Sequence, residues 1–369
     1  FHNMKYVYIL TLCLLLNFKG FTQYTETINS NRPGSSQGAF SVGKNVLQFE
    51  FGGKIGKLTN KNFKNSTINE SQLNYTIRYG FFKNKLEVII NGLYNQNKSI
   101  NKFVGEDELK EEFLNKQTLG FKYLVFDPFK NKKWHGISVL SWDKNNKIRL
   151  FDFIPAISVY VGVNYIPKNS YSYDDPFTNI KKNAEYNVFN HSIFSNTNWS
   201  LTENLISPKA TIITQNHFIG KWVFVNNITL DRIGDKNSIL NYVGTLTHNF
   251  KNPRWSTFGE FEMIKNDIYA DNYFKFGFAF LLNKNYQFDT SVGSNFKDTP
   301  QNMYFKIGMS TRLDWYIDEA PIDKDEVKKE KQKRKKEKQD SKDLRKLNKN
   351  KKKSDKRQRK SIKKSNRKK

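Results

Sequence analysis

The chain has 369 residues, a net charge of +27 and a mean hydropathy of −0.72, yet it contains 31 Phe, 18 Tyr and 6 Trp. This composition excludes a wholly disordered chain, because disordered segments are poor in aromatic residues. The single cysteine, Cys13, lies in the N-terminal leader, so the sequence offers the mature chain no disulfide, thiolate metal site or cysteine nucleophile.

The first predicted element is a secretory leader. Met4 and Lys5 precede the apolar run "YVYILTLCLLLNF", which is shorter than the ~20 residues of a membrane-spanning helix. A basic start, an apolar run and small residues near Gly20 are the parts of a signal peptide. We predict a signal peptide with a start extension over 1–23, followed by an N-terminal periplasmic segment over 24–44.

Residues 45–316 are predicted to form about twelve strands. In "FKFGFAFLLNKNYQFDTSVG" (274–293), phenylalanines occupy alternate positions, and the alternation resumes after Asn283-Lys284-Asn285. A period of two predicts a strand with two unlike faces, and the break predicts a hairpin. The segment 134–143 also alternates, so the register around 127–150 stays open. The predicted strands are 45–56, 70–80, 85–96, 113–126, 150–165, 205–215, 220–231, 238–250, 254–265, 272–282, 285–296 and 302–315.

The phenylalanine face could contact either lipid or the core of a soluble sandwich, and the connections favour lipid. Every odd-numbered connection can be long (57–69, 97–112, 166–204), whereas most even-numbered ones are short, with 127–149 the exception. Outer-membrane barrels have short turns at one end and longer loops at the other.

Residue types on the strands also favour a membrane barrel. Glycines recur on polar faces at Gly277, Gly293 and Gly308, as a crowded barrel interior requires. Aromatic residues at strand ends resemble the girdles at membrane interfaces; they are Tyr79, Trp222, Trp255, Tyr273, Trp315 and Tyr316.

These features together predict the fold class and the location. Lipid offers no hydrogen bonds, so only a closed sheet satisfies the backbone. We predict an all-β, transmembrane, antiparallel up-and-down β-barrel of about twelve strands. An even strand number places both termini in the periplasm of a Gram-negative bacterium, with the barrel in contact with outer-membrane lipid.

Polar side chains on the predicted strands mix acids and bases. About twelve strands make a barrel wider than the eight-stranded kind whose interior is filled by side chains. The lumen-lining candidates are Gln48, Glu50, Arg78, Glu87, Lys122, Glu260, Glu262, Lys275, Asp289, Lys306 and Arg312.

The segment 317–369 is a Lys/Arg-rich, low-complexity tail without apolar periodicity, and it is predicted to be disordered. A basic run can indicate nucleic-acid binding, but no nucleic acid is expected in the periplasm. The alternatives are a tail that binds anionic lipid headgroups or cell-wall polymer and a tail that is merely solvated.

Six segments of the sequence carry a family resemblance: "NRPGSSQGAFSVGKNVLQFEFG" (31–52), "YTIRYGFFKNKLEV" (75–88), "LGFKYLVFDPFKN" (119–131), "FIPAISVYVGVNY" (153–165), "ISPKATIITQNHF" (206–218) and "NFKDTPQNMYFKIGMSTRLD" (295–314). They resemble one family of outer-membrane transporters, labelled the "meta-pathway of phenol degradation" family and widespread in Bacteroidetes. The resemblance implies a barrel and a transport role, with no settled substrate. The Lys-rich tail and the segment 134–149 depart from the family pattern.

No catalytic pattern emerges from the sequence. The five histidines form no zinc-binding pair, and no nucleophile elbow or phosphate-binding loop occurs. Glu260 and Glu262 share a strand face, where solvated lumen charges are commoner than acid–base catalysts. We predict no enzymatic activity, no metal and no cofactor.

Two functions remain. The first is an outer-membrane transporter or channel for small solutes, hydrophobic or aromatic ones included. The alternative is a secreted or outer-membrane structural β protein whose basic tail binds an anionic polymer or lipid. The sequence leaves the oligomeric state open.

Overall fold

The computed structural model describes residues 27–63, 65–82, 84–100, 108–130, 147–166, 205–219, 221–235, 238–266, 270–315 and Gln339. The chain divides into two units, Phe1–Tyr316 and Ile317–Lys369. The predicted signal peptide, the segment 134–143 and all of the basic tail except Gln339 lie outside the described residues. The predicted domain boundaries therefore stay predictions.

Twelve antiparallel strands close into one barrel, which confirms the predicted fold class. Each strand pairs with its neighbours in sequence, and β1 also pairs with β12 along the whole strand, from Val46–Asp314 to Thr59–Gln301. The strands are β1 Val46–Asn60, β2 Ser66–Gly80, β3 Leu86–Ile100, β4 Glu108–Phe126, β5 Ala156–Tyr165, β6 Ile206–Phe218, β7 Trp222–Asp231, β8 Ile239–Asn249, β9 Trp255–Lys265, β10 Ala270–Asn283, β11 Tyr286–Asn295 and β12 Gln301–Asp314.

The first four strands are longer than predicted, so they fill much of the predicted loops 57–69 and 97–112. The far ends of β1, β2 and β3 alternate between inward and outward positions, but polar residues replace the apolar ones on the outward side, and the apolar signal is lost. The predicted strand 150–165 is shorter than expected. Leu150–Phe153 forms a 3-10 helix, and Pro155 precedes the strand with no N–H to donate to a ladder.

The two ends of the barrel differ less than the connections predicted. At the end that carries Val46 and Asp314, here called the termini end, the connections are 81–85, 127–155, 219–221, 250–254 and 284–285. At the opposite end they are 61–65, 101–107, 166–205, 232–238, 266–269 and 296–300. The connections 61–65 and 101–107 are only five and seven residues long, so the expected asymmetry is largely wrong for the first two hairpins.

The barrel is apolar outside and polar inside, the reverse of a soluble protein. Phe274, Phe276 and Phe278 are 52%, 42% and 39% exposed, whereas Lys275 between them is 3% exposed. Apolar side chains on a closed wall need an apolar solvent, because each one left in water forfeits the free energy of its burial. The phenylalanine face therefore contacts lipid. None of the described residues belongs to a helix with the length and hydropathy needed to cross a bilayer.

Small inward residues make room for large ones in the interior. A Cβ atom on Gly293 would collide with the ring of Tyr304, and one on Gly277 with Phe258 and the Thr290 carbonyl. Tyr79, Trp222, Trp255 and Trp315 are exposed at the termini end, as a girdle requires. The prediction is wrong for Tyr273, which faces inward with Lys275 and accepts a hydrogen bond from Asn302 Nδ2 (3.3 Å). Tyr316 lies outside the described residues.

Candidate functional site

Residues 27–45, here called the plug, lie inside the termini-end half of the barrel. They form no regular secondary structure, so their backbone groups bond to side chains of the wall. The plug forms hydrogen bonds with all twelve strands. This segment carries the most specific part of the family resemblance.

Arg32 anchors the plug to the strands on either side of the β1–β12 seam. Its Nε and Nη2 atoms donate to the two carboxylate oxygens of Asp289 at 3.0 Å each, and its Nη1 atom donates to Asn74 Oδ1 at 3.1 Å. The guanidinium lies over the cross-strand pair Gly52–Gly308, where a Cβ atom on either glycine would collide with it. A bidentate pair fixes both position and orientation.

Glu260 binds the next turn of the plug. The Ser35 N–H donates to both of its carboxylate oxygens (3.0 and 2.8 Å), and Thr245 Oγ1 donates to Oε2 (2.7 Å). Lys275 Nζ lies 2.7 Å from Glu260 Oε1 and also pairs with Glu262. One lysine thus compensates the buried carboxylate of Glu260 and the partly buried carboxylate of Glu262.

Where the plug passes β6 and β7, the side chains that bind its backbone are amides. The Gln37 N–H donates to Asn227 Oδ1 (2.6 Å), and Asn227 Nδ2 donates back to the Gln37 carbonyl (2.9 Å). Gln215 Oε1 accepts from the Ala39 N–H at 2.8 Å. Amides can both donate and accept, so they satisfy an irregular backbone without adding charge.

A second charged cluster holds the end of the plug against β1–β4. Arg78 pairs with Glu50 (3.2 Å) and Glu87 (3.1 Å), and Lys122 pairs with Glu87 (2.7 Å). All four side chains are almost completely buried, and two cations balance two anions. Arg78 and Lys122 also donate to plug carbonyls, including that of Phe40, so the cluster is satisfied by both the wall and the plug.

The structure places the predicted lumen candidates in three groups. Glu262 and Lys306 line cavities beyond the plug. Arg312 lies at the barrel rim, where Nε donates to Asn285 Oδ1 (3.0 Å) and Nη2 pairs with Asp314 (3.3 Å). The role of any of them toward a solute stays a prediction. The candidates that contact the plug are Gln48, Glu50, Arg78, Glu87, Lys122, Glu260, Lys275 and Asp289.

Sequence reasoning missed Arg32, Asn74, Gln215 and Asn227. The last three lie on the inward faces of predicted strands, so alternation alone could have found them. Arg32 precedes the first strand, and no periodic pattern points to it.

Two cavities lie on the side of the plug away from the termini end, with volumes of about 340 Å³ and 360 Å³. Both are lined by Ser35 of the plug, so the plug forms a common floor. The linings they share are mainly polar, including Asn74, Lys116 and Lys306, with Leu93 among the apolar residues.

Charges beyond the plug are paired across neighbouring strands. Lys54 pairs with Glu70 at 2.6 Å, and the ammonium groups of Lys54 and Lys306 lie 4.9 and 5.1 Å from the ring centroid of Tyr304. On the opposite wall, Asp231 lies 2.8 Å from Lys116 and 3.7 Å from Lys209. Both signs of charge therefore face the cavities.

These features define a membrane-spanning β-barrel with a polar, plugged lumen. Residues 190–313 match the family model described as "Putative MetA-pathway of phenol degradation". The resemblance predicted from the sequence is confirmed over that stretch.

Several solved structures are similar to the chain at low identity. An outer membrane channel from Pseudomonas putida F1 is 8% identical with a TM-score of 0.44, over 78% of this chain and 100% of that chain. The KdgM porin is 8% identical with a TM-score of 0.36, over 72% and 99%. The CymD monoaromatic hydrocarbon channel gives 7% and 0.35, over 73% and 89%. A search of curated proteins finds no match to the sequence.

Proposed function

We propose that the protein is an outer-membrane channel for small solutes, with both termini in the periplasm. The observation that carries the proposal is a pair of polar cavities inside a closed barrel whose outer face is apolar. A closed barrel needs no polar lumen to be stable in lipid, so the cavities favour passage as its role.

The cavity linings favour solutes that carry polar groups over hydrophobic ones. Asn74, Asn95, Asn115 and Asn241 present amides to the cavities. Lys54 and Glu70 add charges of both signs. Amides and charges next to an apolar solute would lose hydrogen bonds to water, which costs free energy. Small sugars, amino acids and polar aromatic compounds fit this lining better than hydrocarbons do.

Reconstitution tests the proposal directly. The full-length protein is placed in liposomes loaded with an impermeant sugar, and swelling is followed after dilution into isotonic arabinose, glycine or benzoate. We expect swelling that depends on protein and slows as solute size increases. Vesicles that swell no faster than protein-free ones, together with planar bilayers without conductance steps, would disprove the channel.

A closed structural barrel is the second candidate, and the plug favours it. The segment contacts every strand, and Glu260 and Lys275 bind it with buried charges. In this case neither swelling nor conductance is expected from the wild-type protein.

The basic tail supports a further element of the proposal. Residues 318–369 contain 25 Lys/Arg and 10 Asp/Glu, and in the periplasm they would face anionic lipid headgroups and cell-wall polymer. We expect co-sedimentation with isolated cell wall at low salt that fades as salt screens the charges. A protein truncated after Trp315 that co-sediments equally well would exclude this role.

A further inference from the structure

Three lysines lie in one row across the outer surface of β1–β4. In the register of the sheet Lys57 pairs with Asn69, Asn69 with Lys98, and Lys98 with Lys110. Neighbouring strands are about 4.8 Å apart, so the four positions span roughly 15 Å. We call them the lysine row.

The row lies on the lipid-facing side of the wall, just past the apolar belt. On β1, Ile55 is 62% exposed and Leu58 is 2% exposed, which places Lys57 on the outer face. Neither Lys57 nor Lys110 forms an ion pair with a described residue. Lys98 and Lys110 occupy directly opposed positions in the sheet, so the row brings two positive charges together on neighbouring strands.

An apolar groove of about 340 Å³ lies near the row on β12, β1, β2 and β3. Gly53 opens the groove, because a Cβ atom there would have only Ile307 Cγ1 within 4 Å, at 3.9 Å. Ile55 lies two residues from Lys57, and Tyr94 lies four residues from Lys98. At 3.4 Å per residue, the groove begins about 7 Å from the row, toward the membrane centre. Its apolar lining consists of Gly53, Ile55, Leu73, Tyr94, Phe305 and Ile307.

We propose that the lysine row and the groove bind a phosphorylated, multiply acylated glycolipid of the outer leaflet. The phosphates contact the lysines and the Asn69 amide, and one acyl chain occupies the groove. A single phosphate cannot contact both ends of a 15 Å row, so a lipid with two phosphates on a sugar backbone fits better than a glycerophospholipid. The inference rests on the proposed orientation, which places this end of β1–β4 in the outer leaflet.

The positive charge of the lysine row does not continue along β4. Glu108 and Glu112 lie two residues to either side of Lys110 in β4, so the strand as a whole is not basic. A general attraction of all anionic lipids to this surface is therefore not expected, and the spacing of the lysines decides the ligand.

Binding of purified lipid A tests the row. Full-length protein in detergent is titrated with diphosphoryl lipid A, and bound lipid is counted by native mass spectrometry. The variant Lys57→Gln/Lys98→Gln/Lys110→Gln is expected to bind about tenfold more weakly or worse, since each interfacial lysine contributes to anionic-lipid affinity. Its matched control, Lys221→Gln/Lys251→Gln/Lys284→Gln at the termini end, is expected to bind as the wild type does.

Two further comparisons complete the test. Gly53→Leu fills the groove and keeps the lysines, so it is expected to weaken lipid A binding while the protein still folds. The row variant should keep the wild-type conductance, because its lysines face away from the lumen. This separates failure of the lipid site from failure of the channel. Equal lipid A affinity of the row variant and the wild type, or equal affinity of the wild type for phosphatidylglycerol and lipid A, would overturn the proposal.

Discussion

Arg32 and Asp289 are 257 residues apart in sequence, yet two guanidinium nitrogens of Arg32 lie 3.0 Å from the carboxylate oxygens of Asp289. The pair joins the plug to β11, and the bond from Arg32 to Asn74 joins it to β2 on the other side of the seam. One side chain of the plug thus spans the part of the wall where the barrel closes.

Replacing Arg32 should loosen the plug and open the lumen. Arg32→Ala leaves the buried Asp289 carboxylate without a partner, which costs about 3 kcal/mol or more for a buried pair. We expect a higher single-channel conductance in planar bilayers, because the plug loses its ion pair with β11 and the hydrogen bond from Arg32 to Asn74 of β2. Arg254→Ala, in an exposed turn, is the control. Equal conductance of Arg32→Ala and the wild type would mean that the plug does not limit passage.

A bulky side chain inside the wall should prevent folding, whereas one outside should not. A Cβ atom on Gly277 would lie 2.5 Å from Phe258 and 2.7 Å from Ser291 Cβ, whereas one on Gly53 meets nothing closer than 3.9 Å. We expect Gly277→Val to give little protein with heat-modifiable gel migration and Gly53→Val to give wild-type amounts. Similar yields from both variants would contradict the assigned faces.

A charged residue introduced on the lipid-facing side of the wall should destabilise the protein more when it lies closer to the bilayer centre. Phe276→Arg places a charge in the middle of the apolar band, where we expect a loss of about 2–4 kcal/mol in the free energy of folding into vesicles. Leu313→Arg, near the termini end, should cost about 0–1 kcal/mol. Denaturant titration in lipid vesicles measures both values. A similar cost at the two positions would show that Phe276 does not lie near the bilayer centre.

Removing Lys275 should destabilise the wall and the plug together. Lys275→Met leaves Glu260 and Glu262 without their shared cation, and we expect the free energy of unfolding to fall by about 3 kcal/mol. The urea midpoint in detergent reports this loss. Lys265→Met, exposed on the same sheet, is the control. Adding Glu262→Gln to Lys275→Met should restore part of the stability, and no recovery would argue against charge as the cause.

Alternation of side chains made most of the wall predictable. The alternation that places Phe276 in lipid places Lys275 in the lumen. The inward and outward faces that it predicts for β10, β11 and β12 are confirmed. It lost its signal where β1–β3 leave the apolar belt, because polar residues such as Lys57, Asn69 and Lys98 occupy the outer face there. It also placed Tyr273 inside, where the aromatic girdle argument was wrong.

The plug could not be predicted in the same way. Its residues have no periodicity, and their partners are far away in sequence: Ser36 contacts Thr245, and Gln37 contacts Asn227. Such contacts depend on the positions of the strands around the barrel. A pattern along the sequence does not give these positions. The cavities likewise follow from the three-dimensional course of the plug.

The pairing of β1 with β12 has a consequence for how the protein is made. The first and last strands of the wall bond to each other, so the sheet has two open edges until the chain is complete through Asp314. The plug directly precedes β1 and bonds to strands all around the circumference, so its full set of contacts exists only once the last edge is joined. The closed barrel thus encloses an N-terminal segment of the same chain. A product that stops short of residue 301 would lack β12 and would keep both edges unpaired.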